Sequence, residues 1–208
     1  MVAGKFITIE GGEGVGKSTN IAFLTRRIEA AGYVVRETRE PGGTPLAERL
    51  RDMLLAHGDE PVPELAELLL FFAARSLNIA NSIRPALAAG EWVLCDRFTD
   101  ATRAYQGGGR GLDRTRIETL AGWVHDGLEP DLTILLDAPA EIGRNRAEQR
   151  GAADRMESER DAFHERVRAA YLALARAEPA RFVVIDAARD LPAVQEDLDA
   201  ALQRLLQS

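Results

Sequence analysis

The 208-residue chain holds a single cysteine, Cys95, inside the apolar stretch Trp92-Val93-Leu94-Cys95. One thiol cannot build a disulfide framework, and these neighbours predict a buried packing residue with no redox role. Only three histidines occur, His57, His125 and His164. They show no metal-ligand spacing and are expected at the surface. No run approaches the ~18 apolar residues that a membrane span needs. No signal-peptide pattern leads into the first apolar run, so a cytoplasmic protein with no membrane partner is expected. The formal net charge of −7 argues against a general electrostatic hold on nucleic acid, while leaving room for a local basic pocket. Lysine is nearly missing: 24 arginines stand against Lys5 and Lys17 alone. A bias toward arginine codons accounts for most of that ratio, so the place where a lysine survives is informative.

With 46% hydrophobic and 28% charged residues, the composition is that of an ordinary globular protein, long enough for one sizeable core. Strand-like runs alternate with helical patterns throughout. Strands are expected at Lys5–Glu10, Tyr33–Glu37, Trp92–Asp96, Leu132–Asp137 and Phe182–Asp186. Helices are expected at Lys17–Ala31, Leu46–Ala56, Glu64–Ala89 (bent or broken near Pro85), Thr115–Asp126, Glu141–Gln149, Ser158–Ala177 and Leu191–Leu206. This alternation predicts an α/β fold, a five-stranded parallel sheet covered by helices on both faces. No repeat, low-complexity tract or Pro/Ser-rich linker interrupts it, so residues 1–208 read as one domain.

The first strand runs into "GGEGVGKST", residues 11–19. Gly11, Gly16, Lys17 and Ser18 occupy the fixed positions of a phosphate loop, with a strand before and a helix after as the mechanism requires. Gly11, Gly12, Gly14 and Gly16 let backbone N–H groups converge on phosphate oxygens, across Glu13 and Val15, and the helix aims its positive end at the same charge. Ser18, followed by Thr19, can offer its hydroxyl to Mg²⁺. Lys17 is the surviving lysine. A compact ammonium on a flexible stem follows a moving phosphate inside a narrow loop where a planar guanidinium fits poorly. The loop alone does not separate a switch, a motor and a kinase. A guanine switch usually carries Asn-Lys-x-Asp, and neither lysine here follows an asparagine.

Four strands end in an acid: Glu10, Asp96, Asp137 and Asp186. Ligands collect at that edge of a parallel sheet, although such acids also cap helices and begin turns. Asp96 after its apolar strand fits the acid that holds Mg²⁺. Asp137 is a rival, and Asp96 is preferred because Arg97 follows it. A third cluster, "RNRAEQRGAADR" at 144–155, carries Arg146 and Arg150 one turn apart, then Arg155. It reads either as a solvated helix end or as a lid, about 144–157, that brings guanidiniums over transferring phosphates, since the loop has no arginine of its own. These features together suggest a phosphate acceptor. A phosphate monoester has its second pKa near ~6, so it needs no general base, only cations such as Arg39, Arg75, Arg97 and the lid.

On "EGGEGVGKST", "TREPGGTPLAERLR", "LLFFAARSLNI", "CDRF", "AYQGGGRG" and "DRMES", in this order, the chain resembles bacterial thymidylate kinases. The resemblance implies phosphoryl transfer from ATP to dTMP with Mg²⁺, and a homodimer. It also implies that Glu13 approaches the deoxyribose 3′-hydroxyl and that Arg97 and Arg39 hold the acceptor phosphate. Phe71 would stack on thymine, Arg75 would bond its edge, Thr102 would lie near the base, and Tyr105 would crowd the 2′ position. Phe98 departs from the tyrosine that many relatives carry. On the helix bearing Phe71, the residues Glu64, Glu67, Phe71, Arg75, Asn78 and Ser82 share one stripe. Leu65, Leu68, Leu69, Phe72 and Ile79 flank it and are expected to pack.

Overall fold

The computed structural model describes residues 4–58, 60–148 and 155–207, the side chains of 147 and 148 excepted. Five strands, β1 (Phe6–Gly11), β2 (Val35–Arg39), β3 (Trp92–Asp96), β4 (Leu132–Asp137) and β5 (Phe182–Asp186), form one parallel sheet in the order β2-β3-β1-β4-β5. Burial explains their composition. β1 lies at the centre and every residue in it is buried, whereas the edge strand β2 keeps Arg36, Glu37 and Arg39 partly in solvent. Thr8 and Thr133, paired in the middle of the sheet, satisfy each other at 2.9 Å, as buried hydroxyls must.

One face is covered by α1 (Lys17–Ala30) and α9 (Leu191–Leu206), which bring Leu24, Ile28, Leu198 and Leu202 onto Ile7, Ile9, Leu94 and Ile134. The other face receives α8 (Asp161–Ala177) and the segment that follows α3 (Glu64–Asn78), while α3 itself packs through Leu68 and Phe72 on Ile117 and Ala121. Shorter helices complete the chain: α2 (Pro45–Leu55), α4 (Arg84–Ala88), α5 (Thr99–Thr102), α6 (Arg114–His125) and α7 (Ala140–Glu148). The chain reverses direction across the sheet on either side of β1. The crevice at the carboxyl ends of β1, β3 and β4 is therefore the switch point where ligands bind.

Several expectations shift. β2 lies two residues later than the pattern suggested, because the Tyr33 N–H still bonds back to the Ile28 carbonyl (3.3 Å) in the turn that ends the preceding helix. The expected helix 64–89 is α3, a π turn at Ile79–Ile83, and α4. Pro85, at the start of α4, has no N–H to donate, and the widened turn lies just before it. A second π segment, Arg103–Gly109, runs through "RAYQGGG", where no helix was expected. His125 is 3% exposed, 2.5 Å from the Thr99 hydroxyl and stacked on Phe98, contrary to the surface position expected of it. Cys95 is buried as expected. Leu68 and Phe72 pack inside, but Leu65 and Leu69 are about half exposed on the outer side of α3.

Candidate active site

β1 delivers the chain into the phosphate loop, and α1 begins at Lys17 behind Gly16, whose φ of 89° is left-handed. No side chain caps α1, so its first N–H groups are free to meet an oxyanion. A Cβ on Gly14 would lie 1.9 Å from the carbonyl oxygen of Gly143, and one on Gly143 would lie 2.2 Å from that of Glu13. The two backbones meet with no room for side chains, which lays α7 directly on the loop. Lys17 Nζ donates to the Gly12 carbonyl at 2.8 Å. Burial and the Arg97 charge lower its pKa, against the pull of Glu13 and Asp96.

Arg97 follows β3 with φ 68°, a left-handed conformation that costs a non-glycine residue roughly 1–3 kcal/mol. Its bonds hold it there. Nη1 donates to the Gly11 carbonyl (2.8 Å) and the Tyr171 hydroxyl (3.2 Å), and Nη2 to Glu13 (2.6 Å) and the Tyr105 hydroxyl (3.1 Å). Withdrawal from solvent opposes the charge on Glu13, but Arg97 and Lys17 override it and hold the carboxyl at about 2.

Behind Arg97, the Glu10 carboxyl accepts the Phe98 N–H and is hydrogen-bonded to the Tyr171 hydroxyl, both at 2.7 Å. Burial, with Asp100 adding to it, raises Glu10 to about 8 from an ordinary 4.5. The folded protein keeps a proton there that the unfolded chain releases. This stabilisation is complete below pH 4.5 and is lost as pH rises through about 8. Glu10→Gln should therefore flatten the fall of stability across that window in denaturant titrations at stepped pH. An unchanged slope would show that Glu10 is not the group responsible.

One cleft of about 500 Å³ joins these groups. Its wall is made by the phosphate loop with Glu13, Lys17, Ser18 and Thr19, by Asp96, Arg97 and Arg146, and by Phe71, Arg75, Thr102 and Tyr105. Asp96 Oδ1 is buried with no hydrogen-bond partner among the described residues, and Ser18 shares the cleft with it. Together they fit a hard divalent cation. The rival Asp137 is occupied by Arg168, two bonds of 2.8 Å. The remaining strand-end acid, Asp186, accepts the Ala188 N–H in a turn.

Two arginines differ from expectation. Arg75 is not on an open polar stripe. It is 2% exposed, paired with Glu40 at 2.6 Å, and donates to the Phe98 carbonyl (3.1 Å) and Thr102 hydroxyl (3.0 Å). Its Nη1 has no hydrogen-bond partner among the described residues, and the residue still lines the cleft. Glu67 and Asn78 of the same stripe are buried too. Arg155 is turned away from the phosphate loop, its Nε donating to the Leu54 carbonyl at 2.9 Å and Nη2 pairing with Glu67 at 2.7 Å. Arg39 lines the cleft while paired with Glu48 at 2.7 Å. Arg146 does face the cleft and donates to the Ala187 carbonyl at 2.9 Å. Arg150 lies outside the described residues. Phe98 is a buried ring against Phe6 and His125 that also lines the cleft. Sequence reasoning missed Glu40, Arg51, Gln106 and Glu157, all in the cleft wall. Glu40 stood in plain sight inside "REPGGT", but nothing in the pattern of α2 separates Arg51 from Arg49.

A cleft lined by both a phosphate loop and an aromatic ring has room for one ligand held by its phosphates and one held by its ring. That geometry defines a P-loop kinase acting on a small phosphorylated acceptor. The model of the thymidylate kinase family matches residues 9–198. Thymidylate kinase of Chromohalobacter salexigens is 59% identical to this chain, covering all of it and 99% of that protein. The enzyme of Pseudomonas syringae pv. syringae is 57% identical over 99% of this chain and 98% of its own length. The crystal structure of thymidylate kinase from Ehrlichia chaffeensis superposes with a TM-score of 0.78 at 33% identity, covering 97% of this chain and 99% of that one. The chain belongs to the thymidylate kinase family.

Proposed function

We infer that the cleft carries direct in-line transfer of the γ-phosphoryl group of ATP to dTMP, giving dTDP and ADP for dTTP and DNA synthesis. The observation that supports this reading is that one cleft is lined by the phosphate loop, by Phe71 and by Arg97. An oxygen of the dTMP phosphate attacks the γ-phosphorus as the bond to the β-phosphate oxygen breaks. The attacking group is already an anion, so the chain supplies charge and position. Lys17 and the N–H groups of the loop and α1 hold the donor phosphates. Arg97, bonded to Glu13, and Arg39 receive the acceptor phosphate, Glu13 faces the sugar 3′-hydroxyl, and Tyr105 crowds the 2′ side. Phe71 stacks on thymine, and the unpartnered Arg75 Nη1 donates to a base oxygen near Thr102. Ser18 and Asp96 would hold Mg²⁺, which supplies charge neutralisation between the phosphates. A panel of nucleoside monophosphates in a coupled ADP-release assay tests the reading. Turnover should be greatest with dTMP, and slow ATP hydrolysis indifferent to dTMP would overturn it.

The neighbours Phe71 and Phe72 should respond differently to alanine. Phe71 is half-buried in the cleft wall, whereas Phe72 is 2% exposed against Leu68, Ile117 and Ala121. Base–aromatic stacking is worth about 1–3 kcal/mol, so Phe71→Ala should raise the dTMP KM about ten- to a hundredfold with ATP binding nearly unchanged. Phe72→Ala should instead cost about 3–5 kcal/mol of stability. Steady-state rates and thermal melts separate them, and the reverse assignment would refute the placement of α3.

We also place the enzyme in the cytoplasm, as one domain in a homodimer. Half-exposed Leu65 and Leu69 lie on α3, and Trp123, 75% exposed, lies on its neighbour α6. This apolar surface suits a second copy. Light scattering at micromolar concentration should give twice the chain mass; a monomer removes the claim.

A further inference from the structure

Glu67 stands one helical turn before Phe71 on α3, does not line the cleft, and is 1% exposed. Its carboxylate gathers groups from two other parts of the chain. Arg110 donates from Nε and Nη2, each at 3.2 Å, Gln106 donates at 2.8 Å, and Arg155 Nη2 lies 2.7 Å away. Burial alone would favour the neutral acid, but the bonds from Arg110, Gln106 and Arg155 hold its pKa below the ordinary value. Arg110 reaches on to Glu159 at 2.6 Å. The Arg155 N–H also donates to the Leu55 carbonyl at 3.2 Å. Between these fastened ends, Met156 and Glu157 form part of the cleft wall, and Met156 packs buried in the cluster of Tyr105 and Phe163.

An apolar side chain would fill the Glu67 site without the desolvation cost of a buried carboxylate. What only the carboxylate does is draw two guanidiniums from separate segments onto one helix. We propose that Glu67 is a positioning residue that holds segment 155–159 against the acceptor end of the cleft, through Arg155 and Arg110, and so retains dTMP. The proposal rests on the assignment of that end to dTMP.

Glu67→Gln keeps the shape and loses the charge. With both substrates varied, the dTMP KM should rise about tenfold and the ATP KM stay within about threefold of wild type. Arg155→Met should reproduce this split, and the double variant should be no worse than the larger single, because one linkage has been cut twice. A merely structural Glu67 would lower the Tm and leave the dTMP KM unchanged, which overturns the proposal. Equal rises in both KM values, or additive effects in the double variant, overturn it as well. Should Glu67→Gln fail to fold, Arg155→Met, whose side chain is 20% exposed, decides by the same split. Failure of the acceptor assignment looks different: another monophosphate would win the panel, or Phe71→Ala would leave the dTMP KM alone.

Discussion

Replacing Lys17 by alanine should cut turnover at saturating substrates by about 10²–10³-fold or more, with a Tm near that of wild type. At the upper figure this is about 4 kcal/mol of lost transition-state stabilisation. The fold should survive because α1 is anchored by Asn20, Ile21, Leu24 and Ile28, all buried, while Lys17 contributes charge at the edge of the cleft. Its ammonium rests 2.8 Å from the Gly12 carbonyl and 3.4 Å from that of Gly11, a perch from which a flexible stem can follow the phosphoryl group as it moves. Arginine should be a poor substitute. Its planar fork must fit between two backbone carbonyls, and Arg97 already occupies the Gly11 oxygen from the other side at 2.8 Å. Near-normal turnover in Lys17→Arg would show that charge alone suffices and would remove the argument from shape.

Removing the lid arginines should act on turnover more than on dTMP affinity. A guanidinium that meets charge developing on a transferring phosphoryl group is worth about 10³–10⁵ in rate. The phosphate loop has no arginine, so this charge must come from outside it, and α7 is laid against the loop by the Gly14–Gly143 contact. Alanine at Arg146 or Arg150 should therefore produce a large loss of turnover in at least one of the two. Arg155, bonded to Glu67 and the end of α2, should affect dTMP KM instead. Single-turnover and steady-state rates on the three variants test this division. If all three turn over within a few-fold of wild type, the cluster is a solvated helix end and the transition-state charge comes from Lys17 and Arg97.

The phosphate loop was legible because its chemistry is local. A strand, four glycines, a lysine and a helix lie within a few residues of one another, and the backbone alone shapes the cradle. The same holds for the acid and arginine that follow β3, and for the alternation that required a parallel sheet. The split between Phe71 and Phe72 was also readable, since helical geometry puts neighbours on different faces.

Buried charge was not legible in this way. Arg75 read as a free cation on a polar stripe, and its partner Glu40 lies 35 residues away in the chain. Arg155 read as a companion of Arg146, yet it donates to Leu54, 101 residues away. His125 looked like a surface residue, and Glu67 like one more member of a polar stripe, for the same reason. A polar side chain goes inside only if another element brings it a partner, and periodicity reports which face is apolar without naming what will meet it. The sequence by itself therefore determined the fold class, the phosphate cradle and many of the residues that line the cleft. Tertiary structure decided which arginines face that cleft and which hold its walls, because hydrogen bonds and ion pairs between distant segments set the direction of each guanidinium.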